Sequence, residues 1–122
     1  MTDQQALHAV SAYGAPHCRT PAIDALAADG VRFDRAYTPT ALCAPARTSV
    51  LTGLLPHNHN VRYNTDTAGF HGERAGHPFE VFPDHLAEMG YRLGWSGKWH
   101  AGLAEIPQDI GFEGFSLPRY GD

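Results

Sequence analysis

The chain of 122 residues has little cysteine, little lysine, no excess of positive charge and no long apolar run. Its two cysteines, Cys18 and Cys43, are too few for a disulfide scaffold or a structural zinc site built of thiolates. Nine basic residues against 13 acidic ones give a net charge of −4, which disfavours nucleic acid or an anionic membrane as a partner. No apolar run approaches the ~20 residues that span a bilayer, and no signal peptide opens the chain. We therefore expect no nucleic-acid partner, no membrane partner and a cytoplasmic location.

The composition is that of one globular domain. Apolar residues make up 43% and charged residues 18% of the chain, and a chain of this length can bury one core but not two. Glycine, proline and histidine are abundant, so turns and groups that titrate near neutral pH are common. Lys98 is the single lysine beside eight arginines. A compact, titratable ammonium at this position is therefore a candidate for a specific role.

Three helices are predicted over 21–30, 45–53 and 83–90. Each has a proline in its first turn and ends at a glycine, which are the usual start and stop residues of a helix. The segments 54–79 and 101–122 show no sustained hydrophobic period and are predicted as loops.

Two strands are predicted over 31–35 and 91–96, where apolar and polar residues alternate. Helices and strands that alternate along a chain predict an α/β fold with a mainly parallel sheet. Sites in such sheets form beyond the carboxyl ends of the strands. Because Cys43 and the segment 98–100 both follow such ends, we expect them to share one site.

The segment Cys43-Ala44-Pro45-Ala46-Arg47 is the sharpest motif in the chain. Cys43 is predicted to lie at a helix N-terminus, where exposed N–H groups and the helix dipole stabilise a thiolate or a bound oxyanion. Arg47 lies one helical turn further on, so its guanidinium can return to the same place. A cysteine before a helix, taken without the rest of the motif, is better explained as a small buried cysteine followed by an ordinary surface arginine.

Five segments together resemble the type I, formylglycine-dependent sulfatases. Residues 42–53 resemble the C-x-P-x-R signature of that family, and residues 20–33 resemble its T-P-N-[IL]-D-x-L-A-x-x-G-x-x-F segment. Gly97-Lys98-Trp99-His100 resembles its G-K-W-H signature. Asp3-Gln4-Gln5 resembles its metal-binding segment in the D-Q-Q form, and 56–60 resembles P-H-x-H-G. The resemblance implies the alkaline-phosphatase-like superfamily, an α/β sandwich with a mainly parallel central sheet.

The activity that the resemblance implies is sulfuric ester hydrolysis of the arylsulfatase type. Cys43 would be oxidised to formylglycine by a formylglycine-generating enzyme, and Arg47, Lys98 and His100 would be the other catalytic residues. Lys98 and His100 could bind the sulfate and supply the charge or the proton that the leaving alkoxide needs. Taken alone, Lys98 and His100 are better explained as a surface charge and a loop histidine; the predicted strand before them, Trp99 and the cysteine motif favour the site. The implied substrate is a small sulfate ester or a sulfated carbohydrate.

The metal that the resemblance implies is Ca²⁺, or else Mg²⁺ or Mn²⁺, held by Asp3 together with the modified Cys43. Asp3 is a hard oxygen ligand suited to such ions, although its spacing alone favours a turn-capping aspartate. Gln4 stands where many relatives have a second aspartate and is the weaker candidate ligand. His57 is assigned to the substrate pocket, because a zinc pair of His57 and His59 lacks a third ligand at typical spacing.

Members of this family are several times longer, and their remaining metal ligands lie in a later part of the fold. We therefore expect residues 1–122 to be the N-terminal part of a sulfatase catalytic domain, truncated at both ends and inactive in isolation. Two alternatives stay open. One is a phosphonate or phosphate monoester hydrolase of the same superfamily, and the other is an inactive fragment or a non-catalytic interaction module. The oligomeric state is not predicted.

Overall fold

The computed structural model describes residues 1–64, 80–101 and 106–114. The chain divides into two compact units, Met1–Tyr37 and Thr38–Asp122. The α-helices in the described ranges are α1 (Pro21–Asp29), α2 (Cys43–Thr52), α3 (Pro56–His59) and α4 (Phe82–Glu88), and the 3₁₀ helices are Leu7–Ala9, Ser11–Tyr13 and Pro107–Ile110. None of the helices described is long and apolar enough to cross a membrane.

A polar network holds the first unit, Met1–Tyr37, at the start of α1. Asp24 Oδ2 accepts a hydrogen bond from Ser11 Oγ at 2.6 Å, and Asp24 Oδ1 accepts one from Thr20 Oγ1 at 3.1 Å. The backbone N–H groups of Ser11 and Thr20 donate to each other's hydroxyl oxygens at 3.0 and 2.8 Å. Because α1 has no buried residue, this network, more than an apolar helix face, joins α1 to the preceding 3₁₀ helix.

The predicted strand over 31–35 is wrong, because this segment is irregular and exposed. A strand needs a neighbour whose backbone groups pair with its own, and no strand forms among the described residues. Instead, Arg32 donates to the carbonyl of Ala12, and the hydroxyl of Tyr13 donates to Phe33 O at 3.0 Å. The Arg32 guanidinium also lies over the Tyr13 ring, 5.3 Å from its centroid.

The second unit, Thr38–Asp122, contains an apolar core around Trp99. Trp99 is 1% exposed, and the rings of Trp95 and Phe112 meet it edge-on, with centroids at 4.8 and 6.3 Å. Such pairs contribute about 0.5–1.5 kcal/mol each beyond the burial of their surface. The core therefore anchors the segment on which Lys98 and His100 lie. Its buried members are Ala44, Leu51, Val61, Val81, Trp99, Ala101, Ile110 and Phe112.

The three predicted helices are confirmed as α1, α2 and α4. α2 ends at Gly53, whose φ of 70° is in the left-handed region that glycine adopts without strain. α3 was missed within the predicted loop 54–79, since a single turn is too short to show a hydrophobic period. Residues 65–79 of that loop lie outside the described residues.

The second predicted strand, over 91–96, is reduced to one isolated parallel bridge between Gly94 and Glu113. Trp95 N–H donates to Glu113 O at 2.9 Å, and Glu113 N–H donates to Leu93 O at 2.7 Å. The bridge has the predicted parallel sense. No sheet is built from it within the part of the chain that the structure describes, so the mainly parallel central sheet stays a prediction.

The predicted loop over 101–122 contains a 3₁₀ helix, Pro107–Ile110. Ile110 is 1% exposed and belongs to the core, so this turn packs as a structured element that the sequence pattern did not indicate. Residues 102–105 and 115–122 of the predicted loop lie outside the described residues.

Candidate active site

Cys43 is the first residue of α2 and is half-buried. The helix begins here because Leu42 is extended and its carbonyl accepts the first helical hydrogen bond, from Ala46 N–H at 3.0 Å. Pro45 fits in the first turn because it has no N–H group to leave unpaired. The structure thus places Cys43 at a helix N-terminus, as the motif predicted.

The start of α2 has fewer exposed N–H groups than we predicted. The N–H of Ala44 donates to Asn64 Oδ1 at 3.0 Å. Pro45 has no N–H, and the N–H of Ala46 is already used within the helix. The expectation of a set of exposed backbone donors is therefore wrong for these three residues.

Arg47 joins α2 to the segment that carries Lys98. Its Nη1 donates to Lys98 O at 2.7 Å and to Trp99 O at 3.2 Å, and the residue is only 8% exposed. Hydrogen bonds from a charged donor contribute about 1.5–3 kcal/mol each. The guanidinium therefore holds the backbone of this segment, a role that sequence reasoning missed. Its contact with a bound anion stays a prediction.

Thr48 makes a second connection between α2 and the same segment. Its hydroxyl donates to Ala101 O at 3.0 Å, and both residues are 0% exposed. α2 therefore holds the carbonyls of residues 98, 99 and 101. The structure brings together the two segments that the sequence placed at one site, the cysteine motif and residues 98–100.

His100 has a strained backbone. Its φ of 43° lies in the left-handed region, which residues other than glycine rarely adopt. Such conformations cost of order 1–3 kcal/mol and persist where the surroundings fix them. Here Arg47 holds the carbonyl before His100 and Thr48 holds the carbonyl after it. Because strain of this kind clusters at functional sites, the backbone supports the assignment of His100 to the site.

Asn64 connects the start of α2 with His100. Its side-chain Oδ1 accepts the N–H of Ala44, and its main-chain oxygen lies 3.3 Å from His100 Nε2. A carbonyl oxygen only accepts hydrogen bonds, so Nε2 is the protonated nitrogen in this contact. No motif in the sequence pointed to Asn64.

His59 is buried, whereas the predicted site residue His57 is exposed. His59 Nδ1 accepts the N–H of Val61 at 3.1 Å, and its Nε2 lies 3.0 Å from Ser49 Oγ on α2. Burial lowers the pKa of His59, and the charge of the neighbouring His57 lowers it further. The neutral ring therefore donates through Nε2 to Ser49 and fastens α3 to α2. Contact of His57 with a substrate stays a prediction.

The predicted metal ligands Asp3 and Gln4 lie exposed near the start of the first unit. No group of three histidine, cysteine, aspartate or glutamate side chains that could hold a metal occurs among the described residues. Asp3 has the hard oxygen chemistry that Ca²⁺ and Mg²⁺ prefer, but one carboxylate leaves most of a shell of about six oxygens unfilled. The residues described thus do not complete a metal site, and we assign no chemical step to a metal.

Comparison with protein families matches the sulfatase family model over residues 1–116. The chain belongs to the sulfatase family. This sulfatase chain is 37% identical to N-acetylglucosamine-6-O-sulfatase of Bacteroides thetaiotaomicron, a match that covers 96% of this chain and 19% of that protein. It is 38% identical to arylsulfatase A of Homo sapiens, over 84% of this chain and 21% of that protein. It therefore spans about a fifth of the length of these curated relatives.

Solved structures also resemble this sulfatase chain, among them the two that follow. One, a complex with the substrate D-glucosamine-2-N,6-O-disulfate, superposes with a TM-score of 0.78 at 35% identity, over 93% of this chain and 21% of that one. The other, Ps i-CgsB, has a TM-score of 0.76 at 32% identity, over 91% of this chain and 25% of that one. The family assignment made from the motifs is confirmed. These neighbours also support the alkaline-phosphatase-like fold that the motifs implied.

Proposed function

We propose that the protein hydrolyses sulfate esters and that Cys43, converted to formylglycine, is its nucleophile. The observation that supports this most directly is the pair of hydrogen bonds from Arg47 to the carbonyls of Lys98 and Trp99. These bonds join the helix of the cysteine motif to the segment with the titratable side chains. Hydrogen bonds thus connect the two segments that resemble sulfatase signatures, the cysteine motif and residues 97–100.

The residues of this arrangement have distinct roles in the proposal. Formylglycine at position 43 would supply a hydrated aldehyde that attacks the sulfur. Lys98 and His100 together would supply the positive charge and the proton that the sulfate oxygens and the departing alkoxide need. Arg47 holds the backbone of this segment through the carbonyls of Lys98 and Trp99. Preorganised charge of this kind is effective because it needs no rearrangement during the reaction.

Sulfatases generally use a metal ion together with formylglycine. For this protein we propose Ca²⁺, or else Mg²⁺ or Mn²⁺, with Asp3 and the formylglycine oxygen as ligands and Gln4 as the weaker one. Two observations support these ligands: the D-Q-Q segment resembles the metal-binding segment of the family, and the Asp3 carboxylate is a hard oxygen ligand.

The proposed substrate is a sulfated carbohydrate or another small sulfate ester. The relative from Bacteroides thetaiotaomicron is named for N-acetylglucosamine 6-O-sulfate chemistry, and one structural neighbour holds a sulfated glucosamine as its substrate. A formylglycine-generating enzyme is the proposed maturation partner, because an aldehyde at position 43 requires oxidation of the cysteine after translation.

The first test is the modification of Cys43. The chain is co-expressed with a formylglycine-generating enzyme, and its peptides are analysed by mass spectrometry. We expect a loss of about 18 Da relative to cysteine on the Cys43 peptide. Cys18 is an internal control, because it is an exposed cysteine that lacks the proline and arginine at the motif spacing. Unmodified Cys43 under conditions that modify a known acceptor peptide would contradict the proposal.

The second test is turnover by the full-length protein. Aryl sulfate, aryl phosphate and aryl phosphonate monoesters with the same leaving group are compared, with Cys43→Ala as the inactive control. We expect the highest kcat/KM for the sulfate and no turnover by the variant. A preference for the phosphonate or the phosphate would assign the protein to the other hydrolases of the superfamily.

A further inference from the structure

Asn64 contacts both the first turn of α2 and the ring of His100. We propose that Asn64 is a positioning residue that selects the tautomer of His100 with the proton on Nε2. The catalytic part of this inference, a role of that tautomer in sulfate-ester hydrolysis, rests on the proposed function. The coupling itself follows from two hydrogen bonds made by one residue.

The first bond fixes the position of Asn64. Its Oδ1 accepts the N–H of Ala44, which is 0% exposed, at 3.0 Å. Water cannot replace an acceptor at a buried donor, and leaving such a donor unsatisfied is costly. The start of α2 therefore holds the Asn64 side chain and, through it, the backbone of the same residue.

The second bond sets the proton on His100. The main-chain oxygen of Asn64 lies 3.3 Å from Nε2 and can only accept. In neutral imidazole, one nitrogen donates and the other accepts, and the hydrogen bond made by one nitrogen decides the state of the other. A ring that donates through Nε2 therefore keeps its lone pair on Nδ1. Nδ1, which is buried, is then the nitrogen that can accept a proton.

The backbone of His100 is held by α2, and the residue is only 8% exposed. Its left-handed φ of 43° is held by Arg47 on one side and Thr48 on the other. Both residues belong to α2, and Asn64 is bonded to the first turn of the same helix. α2 thus fixes the backbone of His100 directly and the ring through Asn64.

Asn64 could instead cap α2 and have no influence on His100. Measuring the tautomer of His100 distinguishes this role from the proposed one. Three variants are compared in the full chain. Asn64→Ala removes the side-chain acceptor of the Ala44 N–H but keeps the main-chain oxygen that faces His100. Asn64→Asp keeps both acceptors, and Asn58→Ala is the matched control. Asn58 is an exposed asparagine in α3. Long-range ¹H–¹⁵N NMR reports the tautomer of His100, and amide hydrogen exchange reports the bond at Ala44.

We expect His100 to be protonated on Nε2 in the wild-type chain, in Asn64→Asp and in Asn58→Ala. Asn64→Ala should show a mixture of tautomers and at least tenfold faster exchange of the Ala44 amide. Faster exchange with an unchanged tautomer would reduce Asn64 to a cap and overturn the inference. If Asn64→Ala does not fold, Asn64→Asp tests the coupling instead. A folded Asn64→Asp variant in which His100 is no longer protonated on Nε2 would contradict the coupling.

Kinetics of the full-length protein then test the role in catalysis. Misplacing a reacting group by about 1 Å can cost about 10²-fold in rate, so Asn64→Ala should lower kcat about tenfold or more with KM changed less than twofold. Asn58→Ala should retain the wild-type values. Failure of the wild type to hydrolyse sulfate esters would refute the proposed function but leave the NMR result intact. A wild-type kcat in Asn64→Ala with a mixed tautomer would refute the catalytic part of this inference.

Discussion

Replacing Thr48 with valine measures how firmly α2 holds the strained segment around His100. Valine has nearly the shape of threonine and a similar helix propensity, so the substitution removes the hydroxyl and little else. The lost bond to Ala101 O is 3.0 Å long and joins two residues that are 0% exposed. The carbonyl is left buried without this donor, and we expect the free energy of unfolding to fall by about 1–3 kcal/mol.

Urea unfolding followed by circular dichroism measures this loss. With an m-value of about 2 kcal/mol per molar, the midpoint should fall by about 0.5–1.5 M. Thr38→Val is the matched control, because the exposed Thr38 also donates its hydroxyl to a backbone carbonyl, Thr40 O at 2.8 Å. Water replaces that bond, so its loss should stay within about 0.5 kcal/mol. Equal losses in the two variants would refute the argument that burial gives the Thr48 bond its strength.

Two further predictions concern titration and chemistry. Because burial lowers the pKa of His59, its contribution to stability is complete above the unfolded pKa of about 6.5 and is lost as the pH falls through the lower folded value. Urea midpoints measured from pH 8 to pH 5 should show this loss in the wild type and less of it in His59→Gln, and equal profiles would contradict the assignment. In the full-length protein, Lys98→Ala and His100→Ala should slow esters with poor leaving groups by about 10²–10⁴-fold and those with good leaving groups far less. Equal losses across a leaving-group series would assign both residues to sulfate binding.

The helices were predictable because their signals are local. A proline in the first turn and a glycine after the end mark the termini of α1, α2 and α4 to within about two residues. The bonds inside a helix join residues only four apart. The strands over 31–35 and 91–96 were not predictable in the same way. Alternation of apolar and polar residues describes the two faces of a strand, but a strand forms only where a second segment pairs with it.

The sequence by itself determined the family and the position of Cys43, because both depend on side chains at fixed short spacing. Only the tertiary structure showed that Arg47 holds carbonyls of the Lys98 segment and that Asn64 joins α2 to His100. It also showed that His59 is the buried histidine of its pair. The physical reason lies in the partners of these residues. Each bonds a backbone carbonyl or N–H group, which every residue type supplies alike, so no sequence pattern marks the partner and only the folded chain brings it within reach.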